Sequence, residues 1–230
     1  MNPTRVILRF SFFVLLFYTL LMIPWPGLQS AYSGAFRTGG DVFFRRFWAW
    51  SDGRVRFLDL HSEFLMEDLK SVTLVDPPPG FRLPPPTDVM DTLMVMSNRG
   101  VPGPYGVLRT SSRPVGYWPT AWMLALILAK PMSWSRRGWA LLWGLLLVHV
   151  FIVVRLSLTL ANNGFGAAKS YALFEMSPFW KDVLARAETV LLTDPTATFA
   201  IATFIWLLVS VKRSEWAWLR EMLLPVRDDD

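Results

Sequence analysis

Two side chains able to do chemistry sit inside the longest apolar run of this sequence. They are His149, near the middle of Trp139–Ala161 (WALLWGLLLVHVFIVVRLSLTLA), and Arg155, near its far end. Hydrocarbon tolerates neither cheaply, so each should face protein or a water-filled cavity. For Arg155 the plain reading is a guanidinium that snorkels to the nearby interface, and the sharper one is an anion or carboxylate site. His149 lies deeper. Its plain reading is a neutral, structural imidazole hydrogen-bonded inside a helix bundle, with no cofactor. The sharper one is an axial ligand to a haem or chlorophyll-type pigment, with Trp143 and the small Gly144 below it as an apolar slot. No second histidine lies in an apolar span, so a bis-histidine haem within one chain is excluded.

Outside that run the chemistry is sparse. His61 lies among Asp59, Glu63, Glu67 and Asp68, but the spacing matches no metal signature, and surface charge is the better account. The absence of cysteine removes disulfides, thiol nucleophiles and thiolate metal sites. No residue is assigned a catalytic role and no metal site is expected.

The element that positions His149 and Arg155 has the length of a membrane span, since about 20 apolar residues cross the hydrocarbon core. The whole composition agrees. With 53% hydrophobic and 18% charged residues in 230, the chain is too apolar for an ordinary soluble domain yet leaves room for a polar part. Its net charge of +5 does not point to nucleic acid, because the basic residues cluster beside apolar spans and set their orientation.

The pattern predicts an α-helical multi-pass membrane protein with about four transmembrane helices. A small extracytoplasmic β-rich domain lies between the first and second. Residues 1–28 form an N-terminal signal-anchor helix, apolar from Val6 to Trp25, with no convincing cleavage site. Residues 29–116 form the outer α+β domain, 117–161 a transmembrane helical hairpin, and 162–195 an outer loop with an amphipathic helix. Residues 196–211 form the fourth span and 212–230 a cytoplasmic tail. Arg5, Arg9, Lys130, Arg136, Arg137, Lys212, Arg213 and Arg220 all fall at one side of these spans. That places both termini in the cytoplasm.

Within the outer domain, Arg54–Leu60, Asp91–Asn98 and Tyr105–Ser112 read as strands, the last two joined by a Gly/Pro connection of hairpin type. Glu63–Val75 reads as a short helix, the proline-rich Asp76–Pro86 as an exposed loop, and Asn162-Asn163-Gly164 as a helix stop. Asp41–Trp50 reads as a helix on the membrane surface or packed on the domain. Its Phe43, Phe44, Phe47, Trp48 and Trp50, with Phe179 and Trp180 at the start of the Ser177–Leu192 helix, offer more aromatic surface than a small bundle buries. They are the expected interface residues.

This arrangement of anchor, small outer domain and later hairpin, with GVLRTSSRPVGYWPTAWMLALILAKP running on into LLLVHVFIVVRLSL, resembles the small membrane proteins that accompany exosortases. Exosortases themselves are polytopic transpeptidases using cysteine, arginine and histidine. Arg155 matches that arginine by placement, but there is no cysteine, and Ser111 or Ser112 would be a poor substitute. The resemblance therefore implies an assisting role. The expected function is a non-enzymatic accessory subunit of an inner-membrane complex for sorting, energy conversion or photosynthesis, partnered by membrane lipid and other integral membrane proteins. The alternative is a membrane enzyme or pigment-binding protein using His149 and Arg155.

Overall fold

A computed structural model describes residues 3–23, 25–47, 53–73, 90–98, 105–165, 177–191 and 195–211. In chain order these form α1 (Pro3–Met22), α2 (Pro26–Phe47), β1 (Gly53–Asp59), α3 (Leu65–Thr73), β2 (Thr92–Asn98) and β3 (Tyr105–Thr110). There follow a π-helical turn (Arg113–Tyr117), α4 (Trp118–Ala129), α5 (Trp134–Phe165), α6 (Pro178–Leu191) and α7 (Pro195–Ser210). The proline-rich 76–86 loop, the 99–104 connection and the 212–230 tail lie outside the described residues.

Two helices are long and apolar enough to cross a membrane, over Arg5–Met22 and Trp134–Asn163, while α7 is apolar but shorter. Length and composition of this kind associate the chain with a membrane. The second expected span is shorter than its sequence pattern, because α4 holds 12 residues, about 18 Å of helix. Ahead of it, the backbone passes through one π turn in which the Trp118 N–H bonds to the Arg113 carbonyl. Pro114 lies within this turn and Pro119 just after it, neither supplies an N–H, and the Thr120 hydroxyl donates to the Gly116 carbonyl at 2.7 Å.

Around α4 the helices pack through aromatic and small residues. Trp122 meets Tyr18 of α1 edge to face at 5.3 Å and donates its indole N–H to Thr203 of α7 at 2.9 Å. One side chain thus ties three helices. Gly144 of α5 faces Met123, whose sulfur would lie 2.5 Å from an added Cβ, so the two helices approach this closely because position 144 has no side chain.

The sheet has the order β1-β2-β3, antiparallel throughout, with Phe57 opposite Met94 and Val95 opposite Val107. One face presents Val55, Phe57, Met94 and Met96 to Phe44 of α2 and to Ile152, Leu156 and Leu160 of α5. The other packs Leu58, Leu93 and Val95 against Leu65 and Leu69 of α3. Since β2 is covered on both faces, its Leu-Met-Val-Met run cannot alternate, which is why the strand pattern in the sequence is only partial.

Two sequence expectations change here. The sheet expected within residues 29–116 also draws on residues beyond them, because the second half of α5 is part of its core. Also, Asn162-Asn163-Gly164 does not stop α5, which continues to Phe165. The Asn163 amide donates to the Thr159 carbonyl one turn back at 2.8 Å, so the asparagine serves the helix it was expected to end.

Candidate functional site

His149 does not point into the bundle. It is exposed on α5 and hydrogen-bonded within its own helix, with Nδ1 2.8 Å from the Leu145 carbonyl oxygen. A carbonyl only accepts, so Nδ1 donates to it, and Nε2 is left as the ring's other polar atom. Around it Trp139, Leu142, Trp143, Leu146, Val150 and Val154 are all exposed. Their spacing is that of one helical stripe. The bundle takes the opposite side of α5, where Ala140, Val148 and Gly144 meet α4 and α7. Gly144 is therefore filled by Met123 and forms no slot for a pigment beside His149.

Arg155 is half-buried and donates from Nη1 to Thr198 Oγ1 of α7 at 2.7 Å. Thr198 is itself 2% exposed. The guanidinium thus links two helices through a hydroxyl, an arrangement between the snorkelling and the anion-site readings. At the other end of α7, Lys130 donates to the Ser210 carbonyl at 2.9 Å, and Arg136 donates to the same oxygen. Cations at a helix C-terminus satisfy orphan carbonyls and oppose the helix dipole.

Of the expected interface aromatics, Phe179 and Trp180 are exposed, at 68% and 56%, as is Phe43. Phe44 is not. It is 0% exposed and stacks on Phe57 with ring centroids 5.6 Å apart, because α2 lies along the sheet and turns this residue inward. The Phe47 side chain and the whole of Trp48 and Trp50 lie outside the described residues.

The polar network that the sequence reading missed belongs to the sheet module. Asp41 accepts from the Phe57 backbone N–H at 2.6 Å and from Arg56 Nε at 3.0 Å. It thereby occupies the free edge of β1, which has no strand partner there among the described residues. Arg37 pairs with Asp59 at 2.8 Å, and Asp59 also accepts the His61 N–H at 3.0 Å. The acid nearest His61 is therefore engaged by an arginine from α2. Asp91 accepts the Ser112 N–H and the Thr92 hydroxyl, both at 2.9 Å, and the Ser112 hydroxyl as well.

These carboxylates stand at strand ends or on the helix beside a strand, and spacing alone does not reveal partners 15 residues or more away. Tyr32 closes the module onto the helices. Burial, opposed by a hydrogen bond from Thr120 and assisted by Tyr117, pushes its phenol up to about 12, so it stays protonated. Gly116 leaves the room for it.

Set against family models, curated proteins and solved structures, the chain matches none of the three.

Proposed function

We propose that this chain is a four-span protein of the bacterial inner membrane, with both termini cytoplasmic, that serves as a non-enzymatic accessory subunit of a larger membrane complex. The observation carrying this reading is the exposed α5 face. Lipid would cover Trp139, Leu142, Leu146 and Val150, but it would leave Nε2 of His149 without a donor in hydrocarbon, where an unmet polar group is costly. A partner helix bearing a hydroxyl or N–H at that level covers the stripe and satisfies the nitrogen together. Exposed Phe179 and Trp180 on α6 extend the docking surface outward. The resemblance to proteins that accompany exosortases makes a sorting complex one candidate partner.

Two tests address the reading. A reporter active only in the cytoplasm should work at Asp230 and fail in the Pro77–Pro86 loop, and activity at the loop overturns the orientation. The partner half is tested by gentle purification from native membranes. His149→Gln keeps a polar side chain of similar volume and should retain the complex with a loss on the order of 1 kcal/mol, whereas His149→Leu should weaken it further. A chain that purifies alone and is active by itself overturns the accessory role. The same outward Nε2 favours a second reading, in which it ligates a haem or chlorophyll-type pigment held between α5 and the partner. Loss of a visible absorption band from the complex on His149→Gln would establish that reading instead.

A further inference from the structure

We infer that the cleft between α2 and β1 is a binding site for a phosphate group, with Arg45, Arg56 and Thr38 as its ligands. The cleft encloses about 450 Å³, within the range of small-molecule sites. It is lined by one stripe of α2, residues 34, 37, 38, 41, 42 and 45, and by Arg56 and Phe57 of β1. Gly40 sets its width. A Cβ at that position would lie 2.8 to 2.9 Å from the Phe57 ring, so α2 approaches the strand this closely only with glycine there. Gly34, at the cleft's end, has open space where its side chain would be.

Charge accounting inside the cleft leaves a cation over. Asp41 is the one acid lining it, and both its oxygens are committed, to Arg56 Nε and to the Phe57 N–H. Arg37 is committed to Asp59 and, at 3.4 Å, to the Asp91 carbonyl. Arg45 has no ion pair among the described residues, and Arg56, whose side chain is 42% exposed, meets Asp41 through Nε and keeps its terminal nitrogens for solvent or ligand.

Two guanidinium groups with forked donors, joined by the Thr38 hydroxyl about two helical turns from Arg45, give donors from three separate side chains. A phosphate monoester has three terminal oxygens to receive them, and a carboxylate has two. The pairing is charge-assisted, and Arg45 supplies a charge that no acid among the described residues pairs with.

The source of the phosphate is either a soluble phosphate ester or a phospholipid headgroup, and the experiment separates them. The full chain in detergent is titrated with inorganic phosphate and glycerol 3-phosphate. In parallel it is mixed with phosphatidylglycerol or phosphatidylcholine and its retained lipids are weighed by native mass spectrometry. Arg45→Gln should weaken phosphate binding about tenfold, the loss expected for one charge-assisted contact. The control is Arg113→Gln, an exposed arginine outside the cleft that donates to Gln29 at 2.7 Å, and it should leave binding unchanged. Selective retention of phosphatidylglycerol that Arg45→Gln abolishes assigns the headgroup; tight glycerol 3-phosphate binding without lipid selectivity assigns the soluble ester. Equal weakening by Arg45→Gln and Arg113→Gln overturns the site in favour of diffuse surface charge. So does a lack of saturable binding by the unmodified chain up to about 10 mM of either phosphate compound together with no lipid selectivity.

Discussion

Phe44→Ala is expected to destabilise the sheet module by about 3 to 5 kcal/mol, the usual cost of emptying a buried aromatic site. Phe44 is fully enclosed by Val55, Phe57, Met94 and Met96 from the sheet and by Ile152, Leu156 and Leu160 from α5. Its ring lies nearly parallel to that of Phe57. Removing it leaves a void bounded by three different elements, and the strands cannot collapse into it without breaking the β1–β2 register. Phe43→Ala, one residue earlier on the exposed side, should cost well under half as much. Protease protection of the module, followed with the protein still inserted, measures both. Equal protection in the two variants would remove Phe44 from the core and return it to the interface set.

This pair shows where the sequence was readable and where it was not. The strands and helices proposed from hydrophobic pattern and turn residues within the described region are present, most of them close to their expected bounds, while α2 starts at Pro26, well before the expected Asp41. Periodicity is a local property, and 3.6- and 2-residue repeats do not depend on the rest of the fold. Which face of an element is buried depends on its partner, and the partner is set by long-range packing. Asp41–Trp50 read as an aromatic cluster free for docking because nothing local shows that α2 begins back at Pro26 and lies along β1. For the same reason His149 was expected inside the bundle, whereas α5 turns Gly144 and Val148 inward and the imidazole outward. A single 32-residue helix that serves α4 and α7 at one end and a β-sheet at the other has no uniform hydrophobic face. Its inner side moves round the axis as its neighbours change.

The polar network was hidden for a different reason. Arg37, Asp41, Arg56, Asp59 and Asp91 each look like ordinary surface charge when taken in sequence, and most charged residues are that. Their partners become visible only when β1 lies as the edge strand next to α2. Asp41 then supplies an acceptor for an edge N–H that no strand meets, and a lone carboxylate turns into a part of the sheet.

Asp91 should show the largest polar effect in the chain. It stands at the start of β2, and its carboxylate receives the backbone and side chain of Ser112 together with the Thr92 hydroxyl. Ser112 and Thr92 are 1% and 0% exposed, so water cannot replace the carboxylate when it is removed. Asp91→Ala leaves three donors without an acceptor. At about 1 to 3 kcal/mol for each unmet buried group, and with less than additive loss as the region relaxes, a destabilisation of roughly 3 to 5 kcal/mol is expected. Ser112→Ala removes one donor along with its need and should cost about 1 kcal/mol. Asp91→Asn keeps one carbonyl acceptor and should fall between them. The bond also joins the sheet to the π turn that opens α4, so its loss should loosen the module from the helix bundle as well as weaken it. Denaturant titration of the detergent-solubilised chain, read once through protease cleavage in the sheet and once through helical circular dichroism, separates the two effects. Asp91→Ala should bring forward the sheet transition more than the helical one. A shift within about 0.5 kcal/mol of the unmodified chain, the usual range for a surface substitution, would mean that Ser112 and Thr92 find other partners and that Asp91 does not hold the sheet to α4.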